Sequence, residues 1–528
     1  MNPTDKSTIL VQPAPARPFW RPWLCAATLV LLVTIVYWPT LENGFVSDDV
    51  AYITTNQAIQ SLQGLRDIWF KLGTIQQYYP LVFTTFWAEY SLWGLDPRGY
   101  HVVNLLLHAA AAVLVWRLLA RLEVKGAWLA AAIFAVHPVE VESAAWVSER
   151  KNVLSCTLAI GSLLAYLRFS PPDNSRGAID APAPTNNGRW GYYALALGLY
   201  VAALLAKSVT ASVPAVLLVI DWWKRGRVKW RDVALLAPFF AVGLELSYLT
   251  VWMEKTYVGA QGEEWNLSLV ERLLVAGRAV WFYAGKLVWP NRLIFFYPRW
   301  TIDTRAGWQY LFPLGAVALL GGLWLARNWI GRGPLAAALI YGGVLTPALG
   351  FFDVYPFKFS YVADHYQYHA SIAAIALAVA AAVLLLNRLA KQPRWLAPLA
   401  GAALLVPLAA VAHQKTHAYR DDSALNQDVL ALCPDSWVAA NNLGGYALAE
   451  GKYDEAITYL RRAIRLVPEE PVHHPGLFMS LEVLARRQAV FSRTKCNIQG
   501  AFLDASSGEA RLQAAHAVCP GKSGPLSC

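Results

Sequence analysis

The stretch WLCAATLVLLVTIVYWPTL, residues 23–41, decides the fold class. It carries no charge and approaches the ~20 residues that a helix needs to cross ~30 Å of hydrocarbon. A polar, proline-rich segment, 1–22, precedes it and bears Lys6, Arg17 and Arg21. Tyr37-Trp38-Pro39 lacks the small residues of a cleavage site, so the stretch is expected to stay as an uncleaved anchor. Comparable apolar runs recur at 101–117, 126–147, 152–169, 190–206, 209–223, 233–252, 308–326, 334–352, 366–387 and 395–413, eleven with the first. Of the 528 residues 56% are hydrophobic and 15% charged, with a mean hydropathy of +0.35; soluble domains carry about 25% charged residues. That composition excludes a disordered chain, a disulfide-bonded secreted mini-domain and an ordinary soluble enzyme. The expected fold is all-α, a polytopic membrane helical bundle of about eleven spans.

Charge tests that count. With the N-terminus in the cytoplasm, the inside connections hold Arg117, Arg121 and Lys125; Arg168, Arg176 and Arg189; Lys224, Arg225, Arg227, Lys229 and Arg231; Arg327 and Arg332; and Arg388, Lys391 and Arg394. Every one is basic, as positive-inside bias requires. The loop 42–100 then faces outward with six acidic and three basic residues. This sorting accounts for the net charge of +10 without a nucleic-acid partner, and none is expected. The segment 271–290, with Arg272, Arg278 and Lys286, would break the alternation as a span, so it reads as an amphipathic or re-entrant outer helix. The third run has only eleven apolar residues, Gly126 to Val136, before His137-Pro138, Glu140 and Glu142. Such a helix either surfaces early or lines a wet cavity.

The chain thus divides into a cytoplasmic tail (1–22), a multispan unit (23–413), a helical segment (414–475) and an irregular tail (476–528). Residues 437–470, WVAANNLGGYALAEGKYDEAITYLRRAIRLVPEE, resemble a tetratricopeptide repeat, through Leu443-Gly444, Ala456, Leu460, Ala463 and Pro468. The small residues let two antiparallel helices approach, Gly451 permits the turn, and Pro468 ends the second helix. Pro434 and Pro468 stand 34 residues apart, the period of such repeats. A C-terminal tetratricopeptide-type hairpin is therefore expected, able to recruit a protein partner. Cys25 and Cys156 lie in apolar runs; Cys433, Cys496, Cys519 and Cys528 leave any disulfide pairing open.

Gly44-Phe45-Val46-Ser47-Asp48-Asp49 follows the first span. Adjacent carboxylates at a low-dielectric boundary repel, which raises one proton affinity and makes a usable base. Two acids alone equally fit a helix cap or a solvated turn. The wider stretch FVSDDVAYITTNQAIQSLQGLRDIW…YYPLVFTTFWAEYSLWGLDPRGYHVVNLLLH resembles the first outer loop of the transmembrane, tetratricopeptide-repeat-containing glycosyltransferases, which are multispan lipid-donor sugar transferases related in type to protein O-mannosyltransferases. HPVEVESAAWVSERKNVLS (137–155), LLAKSVTASVPAVLLVIDWW (204–223) and FSYVADHYQYHASIA (359–373) extend the resemblance over about 23–470. The tail beyond 475 departs from it.

The resemblance implies Asp48 as catalytic base, with Asp49 supporting it or binding substrate. It also implies a polyprenyl-phosphate sugar donor and a hydroxyl acceptor, expected to be protein Ser/Thr with a glycan or lipid as the alternative; the charge sorting and odd span count place the repeat outside, in the periplasm of a bacterial inner membrane. A departing phosphate needs cations; the candidates are Arg150, Lys151, Lys207, Arg278, Lys286 and Arg299. Lys207 stands out because it ends an apolar run on the outer side, against the bias for cations. Acceptor or sugar contacts are assigned to His137, Glu140, Asp364, His365 and Tyr366, for each of which a purely structural role is the alternative. No HExxH or third fixed ligand supports a divalent metal, and no cofactor is expected. Asn104, His108 and Glu245, inside spans, read as interhelical hydrogen-bonding groups. Rival readings are a non-catalytic membrane-anchored scaffold, a transferase acting on lipid or glycan, and a transporter, the last disfavoured by the lack of an internal repeat.

Overall fold

The computed structural model describes residues 21–171, 186–262, 265–388 and 396–466. Among them every regular element is a helix. The first, α1 (Arg21–Tyr37), leads into an extramembrane-type loop with α2 (Leu62–Phe70) and α3 (Pro80–Trp93). Long α4 (Pro97–Arg121) is followed by short α5 (Ala127–Val136), a tight turn, α6 (Val141–Ala145) and α7 (Arg150–Phe169). Then come α8 (Asn186–Leu204), α9 (Val213–Arg225), α10 (Trp230–Met253), α11 (Leu269–Val288), α12 (Leu311–Ile330), α13 (Gly333–Leu345), α14 (Ser371–Arg388) and α15 (Leu396–Thr416). The chain closes with α16 (Asp422–Leu432), α17 (Trp437–Ala449) and α18 (Tyr453–Leu466).

Six helical segments are long and apolar enough to cross a bilayer: Pro22–Glu42, Pro97–Arg121, Val147–Phe169, Trp230–Val258, Gly307–Ile330 and Ser371–Arg388. Two shorter ones, Ala127–Val136 and Gly333–Ala348, are equally apolar. On α12 no side chain is buried, and Leu314, Val317, Leu325 and Trp329 lie open. Exposed apolar area on that scale, on a helix long enough to span, marks a membrane-facing surface. The chain is a multi-pass membrane protein, as its sequence led us to expect.

The run expected as one span at 126–147 is not continuous. Helix α5 stops at Val136, because Pro138 cannot donate to the ladder. His137 instead accepts the Val139 amide (3.3 Å) and starts a new turn. Nearly all of α5 is buried. Its alanines let α1, α4, α14 and α15 pack around it, and their close approach makes it the centre of the bundle.

Connections sort to two ends. At one end, cations bind carbonyls of neighbouring connections: Arg121 to Leu167 (2.9 Å), Arg189 to Phe169 (2.9 Å) and Arg225 to Pro171 (3.1 Å). These are the basic connections singled out in the sequence; Arg176, Lys391 and Arg394 lie outside the described residues. The opposite end gathers 43–61, 137–149, 205–212 and 350–370. Helix α11 crosses that end. Trp281 Nε1 donates to Phe312 O (2.9 Å) in the first turn of α12, and Tyr341 near the end of α13 donates to Val280 O (2.9 Å). Gly277 permits the crossing, since a methyl there would lie 2.5 Å from the Pro313 nitrogen. An amphipathic helix lying over a helical hairpin fits this geometry.

Buried polar groups in the bundle are partnered in the way expected for two of the three intramembrane sites. Asn104 donates to Trp146 O (3.0 Å), and His108 bridges Tyr368 Oη (2.8 Å) and Ala135 O (3.0 Å). Glu245 departs from that expectation. It lies exposed on α10, off the stripe of Leu236, Phe239 and Gly243 that packs inward, and has no interhelical partner among the described residues.

At the C-terminal end α17 and α18 pair as an antiparallel hairpin. A methyl on Gly444 would lie 2.5 Å from Leu460 Cγ, so glycine sets how closely the two helices meet. Pro468, the tail 476–528, the N-terminal tail before Arg21, Cys496, Cys519 and Cys528 lie outside the described residues; Cys25, Cys156 and Cys433 are free thiols.

The two-ended arrangement makes a prediction. Topology reporters fused at Gln60 and Ala440 should read the same side of the membrane, and one at Lys229 the other. Agreement of all three would contradict the fold.

Candidate active site

The loop leaving α1 is fixed before it reaches the acidic pair. Gly44 N donates to Arg420 O (2.8 Å), and Asn43 Nδ2 to Thr416 O (3.2 Å). Asp49 is fully buried and fully used. It accepts from Val46 N (3.0 Å), Ser148 N (2.7 Å) and the Ser148 hydroxyl, tying the loop to the turn before α7. Burial pushes Asp49 up to about 7, against those hydrogen bonds.

Asp48 is the opposite. Its carboxylate is open to solvent and makes no hydrogen bond or ion pair among the described residues. Although water reaches it, the surrounding walls strip much of its hydration and raise its proton affinity; Lys151 pulls it down, Glu149 up, and His365 down. Adjacent residues thus have separate fates, one structural and one free.

The cations that Asp48 faces are organised by Glu149. This buried carboxylate lies 3.1 Å from Lys151 Nζ, 3.1 Å from Lys207 Nζ and 3.8 Å from His365 Nε2, and accepts from Asn152 (2.7 Å). Lys207 also donates to Asn152 Oδ1 (2.8 Å). Lys151 sits 5.1 Å above the ring of buried Tyr52, in the turn after Asp48. An ammonium carries three donors, so both lysines keep N–H groups in reserve. His365 is fixed by Glu142, whose Oε1 lies 3.0 Å from Nδ1 in ion-pair range though not aligned as a hydrogen bond, and whose Oε2 accepts the His365 amide (3.1 Å). Trp146 packs edge-on against the imidazole at 5.8 Å.

The structure therefore brings together Asp48, Lys151, Lys207 and His365. Tyr366 borders them, its ring 4.5 Å from that of His365. Through Tyr366 the cluster adjoins an aromatic group where Arg278 stacks on Trp300 (4.4 Å) and Arg299 on Tyr361 (5.1 Å). Asp364 lies deeper. Tyr297 Oη donates to both its oxygens (3.0 and 3.1 Å), and burial, then the Glu142 charge, push it up to about 8 against Lys286 and Lys415. Lys286 Nζ is committed to the carbonyls of Asn291 (2.7 Å) and Arg292 (2.9 Å).

Three further sequence candidates are taken up by the fold. Arg150, expected to bind phosphate, is fully buried. Its five donors serve Asn104, Thr85, Tyr100 O and both oxygens of Glu89, so it staples α3 to α4 and α7. Breaking such a pair costs about 3–5 kcal/mol. His137 is a buried turn cap, bonded at Nε2 to Leu287 O (3.0 Å) and lowered to about 4 by burial. Glu140 is fully buried beside Ser371 and Asp364, and burial raises it well above an ordinary glutamate. The sequence did not single out Glu149 or Tyr52. An SERK quartet opening an apolar helix was the available signal for Glu149. Among the described residues, no group of three His, Cys, Asp or Glu side chains has the arrangement of a metal site. A cavity of about 360 Å³, lined by Tyr52, Thr55, Asn56, Thr74 and Phe83, opens behind the Asp48 turn and shares Tyr52 with the lysine cluster.

Fold and site together define a multi-pass helical membrane protein with one free carboxylate facing paired lysines. No protein-family model matches the chain. Curated relatives do. Protein O-mannosyl-transferase TMTC3 of Homo sapiens is 34% identical over 160 residues, 28% of this chain and 17% of that protein. Protein O-mannosyl-transferase Tmtc1 of Drosophila melanogaster is 32% identical over 188 residues, 33% and 20% of the two chains. Protein O-mannosyl-transferase tmtc2 of Xenopus laevis is 27% identical over 322 residues, 54% and 37%. The chain thus spans about a sixth to a little over a third of these relatives, and the family resemblance read from its loops is borne out by their names. Among solved structures, ArnT from Cupriavidus metallidurans bound to undecaprenyl phosphate aligns with 17% identity and a TM-score of 0.37, over 88% of this chain and 80% of that one.

Burial predicts different reactivity for the two acids. A water-soluble carbodiimide with an amine should modify Asp48 and spare Asp49, read by peptide mass spectrometry; equal modification would contradict the geometry.

Proposed function

We propose that this protein is a membrane glycosyltransferase that moves a sugar from a polyprenyl-phosphate donor to a hydroxyl, on a protein Ser or Thr, at the membrane face opposite the basic connections. The carrying observation is the unpartnered Asp48 carboxylate facing Lys151, which shares Glu149 with Lys207. The names of the relatives support the same reading. In this mechanism the acceptor oxygen attacks the anomeric carbon as its proton passes to Asp48. The bond from that carbon to the phosphate oxygen breaks, and its electron pair leaves with the lipid phosphate. The free N–H groups of Lys151 and Lys207 meet the charge that develops there, where poised donors lower the barrier most. Single displacement opposite the leaving group inverts the anomeric centre. Arg278 and Arg299 lie beside this route, where the donor headgroup would enter, and His365 and Tyr366 border the sugar.

On this reading, residues 23–413 form the transferase unit in a bacterial inner membrane, with the N-terminus cytoplasmic. Residues 414–475 form a periplasmic repeat segment able to meet a protein partner.

Asp48→Asn keeps the shape of the side chain and removes the base. It should leave the purified protein folded and abolish transfer from a panel of polyprenyl-phosphate sugars to hydroxyl acceptors. Undiminished turnover would refute the assignment. The pH profile gives a second check. The base works deprotonated, so a raised proton affinity makes turnover fall, as pH drops, above the ~3.9 of an ordinary aspartate. Lys151→Gln removes a charge that lowers Asp48, so the acid limb should move to still higher pH; a limb that moved down would contradict the electrostatics.

A further inference from the structure

Ser47, immediately before Asp48, has φ +53°, a left-handed conformation that a residue with a Cβ adopts at a cost. Such a conformation persists where its surroundings impose it. Here the constraint comes from 375 residues further along the chain. The Ser47 amide donates to Asp422 Oδ1 at 2.7 Å. Asp422 is the first residue of α16, whose start is fixed by Asp421 accepting from Ala424 N (2.7 Å). Tyr446 of α17 lies against the same Asp422 carboxylate and lowers its proton affinity, so the C-terminal hairpin reaches the loop through one side chain. On the far side of Asp48, Asp49 anchors the loop to Ser148. Asp48 therefore hangs between two clamps, one from the bundle and one from the C-terminal helices.

We propose that Asp422 is a positioning residue for the transfer reaction: by holding Ser47 left-handed it aims Asp48 into the site, making the C-terminal helices part of the catalytic apparatus. This rests on the reading of Asp48 as base. Asp422 touches no reacting atom; it acts through the Ser47 backbone.

The test uses the full chain in detergent or vesicles, with Asp422→Ala, Asp422→Asn and the double variant Ser47→Gly/Asp422→Ala. Releasing a left-handed non-glycine residue corresponds to about a tenfold change in population. Asp422→Ala should therefore lower kcat about tenfold with donor KM unchanged, and should change the rate at which carbodiimide labels Asp48. Asp422→Asn keeps an oxygen acceptor and should retain most of the rate. Glycine adopts the left-handed conformation without the clamp, so the double variant should recover most of what Asp422→Ala loses, in both kcat and labelling. An unchanged kcat in Asp422→Ala, or a loss that Ser47→Gly fails to restore, overturns the proposal. Labelling separates this failure from that of the function. Were the wild type to transfer no sugar, the labelling of Asp48 in the three variants would still decide whether Asp422 positions it.

Discussion

Helix α5 ends after ten residues, and the arrangement at this end of the bundle depends on that stop. Ten residues rise about 15 Å, half of the hydrocarbon thickness. Backbone leaving a helix at such a depth must be buried in protein or line a wet cavity. The bundle meets the requirement with α1, α4, α14 and α15 around α5, whose alanines allow the approach. The chain then turns from His137 to Glu149 inside the protein and delivers Glu142, Ser148, Glu149 and Lys151 to one region. A longer α5 would carry those residues out to the surface and leave Asp49, Lys207 and His365 without partners.

Gathering charge at such a place is costly unless each group is paired. Glu149 meets that cost by serving two lysines, Asn152 and a histidine at once. It holds Lys151 and Lys207 side by side, each 3.1 Å away, without using all their donors. Arg150, one residue before Lys151, shows the alternative outcome. Successive helical residues point about 100° apart, and Arg150 points toward Glu89, where all five donors are consumed. Two neighbouring cations thus become a structural staple and a site group through direction alone.

This explains what could be read from sequence. The all-α membrane fold was legible because hydropathy and the sorting of Lys and Arg are local, additive signals; α5 was recognisable as short because His137-Pro138 punctuates it. Asp48 and Lys207 stood out by position, an acid beside a span and a cation on the wrong side. Arg150 could not be told from Lys151, because the distinction lies in Glu89, 61 residues away. His137 looked like an acceptor or sugar contact for want of knowing that Leu287 O would take its Nε2. Glu149 was hidden in plain view, since only its distance from Lys207 makes it the hub. Glu245 failed for the converse reason: a polar residue in a span was assumed to turn inward, and the packing stripe of α10 places it outward.

The asymmetry of Asp48 and Asp49 follows from the same physics. Two carboxylates one residue apart in a walled site cannot both stay ionised and unpartnered without repelling strongly. Here the conflict is resolved by assigning one of them to the fold. Asp49 takes three donors and becomes buried, with the charge of Asp48 the smallest of the influences that raise it; Asp48 is left to solvent and to the lysines. The turn that separates them needs Ser47 in a conformation serine does not favour, and the donor that would otherwise go unpaired there, the Ser47 amide, is met by Asp422. Asp48 is thus left free because both residues around it are committed elsewhere, one to the turn before α7 and the other to the C-terminal helices.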